Sequence, residues 1–169
     1  MATVRQQYSA NKKILIIIGI FLVALTFGGI MSITTQRSHQ NKSAQLPQYE
    51  TLLPTNKSIA ELGGWNRVSP PDKSPVFSYT DKIENIFISV SEQPLPDAFK
   101  SEPELQTSKL AESYNATTKL DANGTTVYLG NSAAGPQSII FTKNNLLILI
   151  KSQNKINEKA WISYIQALR

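Results

Sequence analysis

From Ile14 to Ile33 the chain carries neither a charged residue nor a proline, and no other feature restricts its possible folds as much. At about 1.5 Å of helical rise per residue, a run of this length matches the roughly 30 Å hydrocarbon thickness of a bilayer. Ile, Leu, Phe and Val follow one another on every side of that helix. A helix on the surface of a small soluble domain keeps one polar face instead. A cleaved secretion signal has a shorter apolar stretch and small residues before the cut. Gly28-Gly29-Ile30-Met31-Ser32 offers no A-x-A pattern of that kind. The sequence therefore predicts an uncleaved signal-anchor, with residues 1–13 a short cytoplasmic segment and residues 14–33 a single transmembrane helix in contact with the lipid bilayer. Arg5, Lys12 and Lys13 precede the span and Arg37 and Lys42 follow it, a small positive-inside bias that puts the C-terminal part outside the cytoplasmic membrane. Gly19, Gly28 and Gly29 do not make a G-x-x-x-G helix-pairing motif.

The net charge of +5 invites a nucleic-acid reading, so its location matters. Residues 1–48 hold Arg5, Lys12, Lys13, Arg37 and Lys42 and no acid, and thus carry all of it. Beyond residue 48 the remaining basic residues and all 12 acids cancel. A nucleic-acid binder needs a basic stripe on its folded surface, and this part has no net charge to supply one. No nucleic-acid partner is expected. Cysteine is absent, which excludes disulfides, thiolate–zinc sites, a cysteine nucleophile and a lipidated N-terminal cysteine.

Residues 34–57 are rich in Gln, Asn, Ser and Thr, include Pro47 and Pro54, and show no apolar period. They read as a polar flexible tether with a reach of about 25 Å. His39, the single histidine, lies here without a second metal ligand nearby in sequence.

Residues 58–169 read as the folded, extracytoplasmic domain. "SIAELGG" predicts a short helical turn ended by Gly63 or Gly64, and "WNRVS" a short strand. "VFSYTDKI" and "IFISVSEQ" flank Glu84-Asn85 as a hairpin, and Pro94 and Pro96 end its second strand. A helix follows, with Ser101 as its cap, Pro103 in its first turn and Glu104 three residues after the cap. "ATTKLD" and "TTVYLG" bracket Asn123-Gly124, and "QSIIFTK" and "LLILIKS" bracket Asn144-Asn145. Leu146 to Ile150 has no polar alternation, as expected of a central strand covered on both faces. Asn157 caps a last helix to about Leu168, with Trp161, Ile162, Ile165 and Leu168 as its apolar stripe. The expected fold is α+β: an antiparallel sheet of six or seven strands with two main helices, lying on opposite faces or both on one.

Common catalytic patterns are missing. Neither the phosphate-loop nor the dinucleotide glycine pattern occurs, nor do H-E-x-x-H, G-x-S-x-G or a calcium loop. The acid pairs Asp81/Glu84 and Glu102/Glu104 fall at a hairpin turn and a helix start, where acids are ordinary. Ser152-Gln153-Asn154-Lys155 matches S-x-x-K, the nucleophile motif of penicillin-interacting enzymes, but neither S-D-N nor K-T-G accompanies it. A hydrolase using Ser152 and Lys155 is the least favoured reading. No catalytic, cofactor-binding or metal-binding residue is assigned, and no cofactor is expected. Asn41, Asn56, Asn115 and Asn123 begin N-x-S/T sequons, which matter only in a eukaryotic secretory protein.

The stretches "GGWNRVSPPDKSPVFSYTDKI", "ISVSEQPLPDAF", "TTVYLGNSAAGPQSIIFTKNNLLILIKS" and "WISYIQAL" resemble uncharacterised single-pass membrane-anchored proteins of candidate-phylum bacteria of the Saccharibacteria type. The C-terminal part is similar to an extracellular domain of unknown function in Gram-positive proteins. That resemblance implies a bacterial cell-surface location and carries no catalytic residue across. The expected function is a non-catalytic, membrane-tethered module binding a partner protein, an envelope component or a small ligand. The alternative is a structural or assembly subunit of a membrane complex.

Protease added outside intact cells should remove the C-terminal domain and leave a membrane-bound stub near residues 1–45. A domain that is digested only after lysis reverses the orientation, and a mature N-terminus beyond Ile33 converts the anchor into a signal peptide.

Overall fold

The computed structural model describes residues 46–169. A two-residue strand, β1 (Asn66–Arg67), precedes the hairpin of β2 (Phe77–Ile83) and β3 (Ile86–Pro94). One helical turn, α1 (Asp97–Lys100), and a longer helix, α2 (Pro103–Ser113), lead into a four-strand meander. Its strands are β4 (Thr118–Ala122), β5 (Thr125–Asn131), β6 (Gln137–Lys143) and β7 (Leu146–Ser152), and α3 (Glu158–Ala167) follows. All seven strands form one antiparallel sheet in the order β1-β2-β3-β7-β6-β5-β4. The fold is thus α+β, with a third short helix beyond the two expected. The span expected at residues 14–33 lies outside the described residues. Within them no helix is long and apolar enough to cross a membrane.

The tight turns set the register. Glu84-Asn85, Asn123-Gly124 and Asn144-Asn145 all have positive φ at both central positions, with values from 49° to 83°. This is the geometry of a two-residue turn whose twist matches the flanking strands. The sequence marks all three.

β7 is the fourth of seven strands and pairs with β3 on one side and β6 on the other. Its two side-chain rows enter two separate cores. Leu146, Ile148 and Ile150 join Ile88, Val90, Ile139 and Phe141 beneath α3, whereas Leu147 and Leu149 join Tyr128, Ile140, Phe99 and Leu110 beneath α1 and α2. The helices therefore cover opposite faces. Fully burying each such side chain contributes about 1.5–3 kcal/mol, so a strand apolar in both rows stabilises both layers together.

α3 is fixed at both ends. Asn157 Oδ1 accepts the Ala160 N–H at 2.8 Å, satisfying one of the free amides of the first turn. At the other end Lys143 Nζ donates to the carbonyls of Ile165 and Leu168 at 3.1 and 2.8 Å. Between them Trp161 is 0% exposed and its indole N–H donates to Gln137 Oε1 at 2.9 Å. The same oxygen accepts the Ile156 N–H at 2.7 Å, so one β6 side chain ties the approach and first turn of α3 to the sheet.

Two local expectations need correcting. Residues 46–57, expected to belong to the tether, are packed from Tyr49 onward, so the domain starts earlier than Ser58. Leu52 is only 3% exposed, and Leu53 and Arg169 exchange both backbone hydrogen bonds at 3.0 and 2.9 Å. Thr55 N–H adds a bond to the Ala167 carbonyl at 2.8 Å, and Pro54 bridges to Leu168. Pairing with a distant C-terminal strand of chain leaves no local period in a polar, proline-bearing stretch, which is why the composition misled. Likewise Ser101 is not the cap of α2: Glu102 is, without a side-chain bond, and Ser101 closes α1. Phe99, buried at 1% exposure, fixes that preceding turn and moves the helix start one residue on.

Trp161→Ala removes the largest buried side chain and one hydrogen bond to a buried amide. It should destabilise the fold by about 3–5 kcal/mol in denaturant unfolding. A loss under about 1 kcal/mol would contradict this packing of α3.

Candidate functional site

On the face carrying α1 and α2 the helical cover is incomplete. The same-face row of β7 runs Leu147, Leu149, Lys151, and the cover stops where Lys151 begins. Here lies a groove of about 410 Å³ between the C-terminal end of α2 and the β5–β6 loop. Tyr114 and Asn115 from the α2 end, Ser132 and Pro136 from the loop, and Ser138 and Lys151 from the sheet form its walls. The volume falls within the range of small-molecule sites.

Local sequence explains each wall. Tyr114 stops α2, its N–H bonding the Ala111 carbonyl, and Asn115 turns the chain with φ 54°. Ala116 then passes directly over β5. A Cβ placed on Gly130 would lie 3.1 Å from the Ala116 Cα, so glycine permits this close approach. The loop is closed by Ser132 N–H to the Pro136 carbonyl at 2.9 Å and Gly135 N–H to the Ser132 carbonyl at 3.0 Å, with Gly135 at φ 104°. A residue there with a Cβ would be strained.

The electrostatics of this groove are unbalanced. Lys151 forms no ion pair among the described residues, and burial holds its amine below the ordinary lysine value. In β-pairing it sits between Ser89 and Ser138, both neutral. The Tyr114 hydroxyl is shielded from solvent with no hydrogen-bond partner, and burial pushes its pKa up to about 12, so it remains a donor. No acidic residue lines the groove.

The S-x-x-K pair lies at the neighbouring strand end but is not assembled for chemistry. Ser152 is buried, and its hydroxyl donates to the Asn154 carbonyl at 2.7 Å while accepting the Gln137 N–H at 3.3 Å. Lys155 is exposed and no hydrogen bond joins it to Ser152. The serine thus closes the β7–α3 turn.

The acid pairs separate as well. Asp81 is buried and accepts from Lys57 Nζ at 2.6 Å, from its neighbouring Lys82 N–H at 2.7 Å and from the Tyr164 hydroxyl at 3.2 Å. Glu84 instead accepts from the exposed Asn157 amide at 3.0 and 3.1 Å. Glu102 and Glu104 are exposed at the start of α2. Of the sequon asparagines, Asn56, Asn115 and Asn123 all have positive φ, a conformation that asparagine tolerates well. Asn41 and His39 lie outside the described residues.

Glu92 was not among the sequence candidates, although a signal was present. In "IFISVSEQ" the inward row is Ile88, Val90 and then Glu92, so strict alternation already aims this carboxylate into the α3-side core. It is 0% exposed. Its Oε2 accepts the Leu52 N–H at 2.9 Å, while Oε1 has no partner. The Tyr49 hydroxyl donates to the Glu92 backbone carbonyl at 2.7 Å, and the Tyr79 hydroxyl donates to the Leu52 carbonyl at 3.2 Å. Burial raises the Glu92 pKa to about 7, and the Leu52 N–H offsets part of that rise. Burial also holds the phenols of Tyr49 and Tyr79 well above their ordinary value, with the Glu92 charge acting in the same direction.

No family model, curated protein or solved structure matches this chain.

The raised Glu92 pKa has a definite sign in stability. In the unfolded chain the group ionises near 4.5, and in the folded domain near 7. Folding is thus favoured by Glu92 below about pH 4.5, and that contribution is lost as the pH rises through 7. The expected loss is about 3 kcal/mol. Urea unfolding of wild type should show it, and Glu92→Gln should flatten the slope across this window. A wild-type stability that is level from pH 4.5 to pH 8 would refute a carboxyl buried in this way.

Proposed function

We propose that the chain is a membrane-tethered, extracytoplasmic binding module whose polar groove beside Lys151 takes a small ligand without covalent chemistry. Residues 14–33 act as the single-pass anchor in the lipid bilayer, with the N-terminus cytoplasmic, and the domain of residues 46–169 stands outside. One observation carries the binding reading: a groove of ligand size is lined by an ammonium that has no ion-pair partner among the described residues, and no acid shares its wall. A partly desolvated charge gains from a ligand of opposite charge. The non-catalytic part of the reading draws on Ser152, whose hydroxyl is engaged in its turn, and on the position of the single histidine, His39, upstream of the domain. The one acid that burial raises toward neutral pH, Glu92, is 0% exposed and does not line the groove.

The full-length, isotope-labelled chain in detergent micelles, titrated with a set of small polar fragments, tests this. Saturable shifts should gather at the amides of Asn115, Ser132, Ser138 and Lys151. A groove silent to every fragment, in a chain whose span is nonetheless needed to co-purify a membrane complex, would replace this reading with that of an assembly subunit.

A further inference from the structure

We propose that the groove is a carboxylate site, in which the Lys151 ammonium receives the single free carboxylate of a small acid or of a peptide C-terminus. This rests on the binding reading above and adds the chemical class of the ligand.

Charge count comes first. Lys151 is the one cationic side chain among the groove-lining residues, and no lining residue is acidic. Its cross-strand neighbours, Ser89 and Ser138, bring hydroxyls and no charge. A half-buried ammonium without an anion has lost hydration and gained nothing in return, and an arriving carboxylate restores the balance with a charge-assisted hydrogen bond. A single positive charge matches a monoanion. A phosphate monoester, dianionic near neutral pH, would bring a second negative charge with no cation to meet it.

Hydrogen-bonding capacity points the same way. An ionised carboxylate accepts and never donates. The groove offers donors that fit: the ammonium and the hydroxyls of Ser132 and Ser138. Gly130, Ala133 and Pro136 share the remainder of the wall with the neutral polar side chains of Asn115, Asn131, Gln137 and Ser152. A cationic ligand would meet Lys151 as a like charge. A neutral ligand would leave the ammonium as uncompensated as before.

The test uses the full-length chain in micelles and four probes: acetate, acetyl-trialanine with a free C-terminus, the same peptide as its C-terminal amide, and methyl phosphate. Acetate and the free peptide should give saturable shifts at the Ser138 and Lys151 amides, and the peptide amide should give none. If the free peptide binds at least about tenfold tighter than acetate, the natural ligand is a peptide C-terminus; comparable affinities mean a small acid. Lys151→Met should weaken the free peptide by at least about tenfold while unfolding at a temperature no lower than wild type, since it removes an unpaired, half-buried charge. Two results overturn the carboxylate assignment and leave groove binding intact: equal binding of the peptide amide, or tighter binding of methyl phosphate. Absence of shifts from all four probes overturns the carboxylate assignment too. Whether the groove binds anything at all is then decided separately, by the fragment titration above.

Discussion

The structure depends on β7 being covered on both faces. Leu146 through Ile150 cannot present one row of side chains to water, because both rows are apolar. A single helix layer leaves one row exposed. The chain therefore needs α3 on one side and α1 with α2 on the other, and it needs β3 and β6 to pair both edges of the strand. Antiparallel pairing to two neighbours satisfies every backbone donor and acceptor that a strand in that position buries. The connection from β3 to β4 must then travel across the sheet from one half to the other. It does so as α1 and α2, and that crossing produces the second layer.

Against that apolar frame the buried and half-buried polar groups fall into two kinds. Gln137 and Asp81 are saturated: the first joins Trp161, Ile156 and Asn131, the second Lys57, Lys82 and Tyr164. Such groups fix one arrangement of the elements that meet at them, because any shift leaves a buried atom unpaired. Glu92, Tyr114 and Lys151 are different, each with capacity left over. Glu92 lies beneath the N-terminal segment, and the other two lie where the helical cover ends. The first kind holds the fold in place. The second kind keeps unused capacity, for a proton at Glu92 and, in the function proposed above, for a ligand in the groove.

Much of the architecture was legible in the sequence because it is local. Three two-residue turns, an unalternated central strand and the Asn157 cap are each written within a few neighbouring residues. The packed segment from Tyr49 to Thr55 was not, since its partners lie at Glu92 and at Ala167 to Arg169. Its composition is that of a linker, and only long-range pairing makes it part of the domain. The groove was hidden for a related reason. Lys151 follows five apolar residues and reads as an ordinary polar strand end, and Tyr114 reads as part of an imperfect helix face. That they share one space depends on Gly130 admitting Ala116, which no local pattern announces. Glu92 is the exception, a buried acid whose place is visible in plain alternation after Ile88 and Val90.

The pairing of Leu53 with Arg169 has a mechanical consequence. The two ends of the domain leave it side by side, joined by two backbone hydrogen bonds, with Thr55 and Ala167 adding a third. Tension entering from the N-terminal side therefore does not pull on the sheet first. It reaches Tyr49, then Leu52 at Glu92, then the short ladder with the C-terminal residues, and the sheet bears load only after these have parted. Hydrogen bonds loaded one after another yield at lower force than the many strand pairs of the sheet loaded together. The segment from Tyr49 to Thr55 thus yields before the strand pairs do, releasing about 20 Å of extended chain and drawing Leu52 out of the edge of the core.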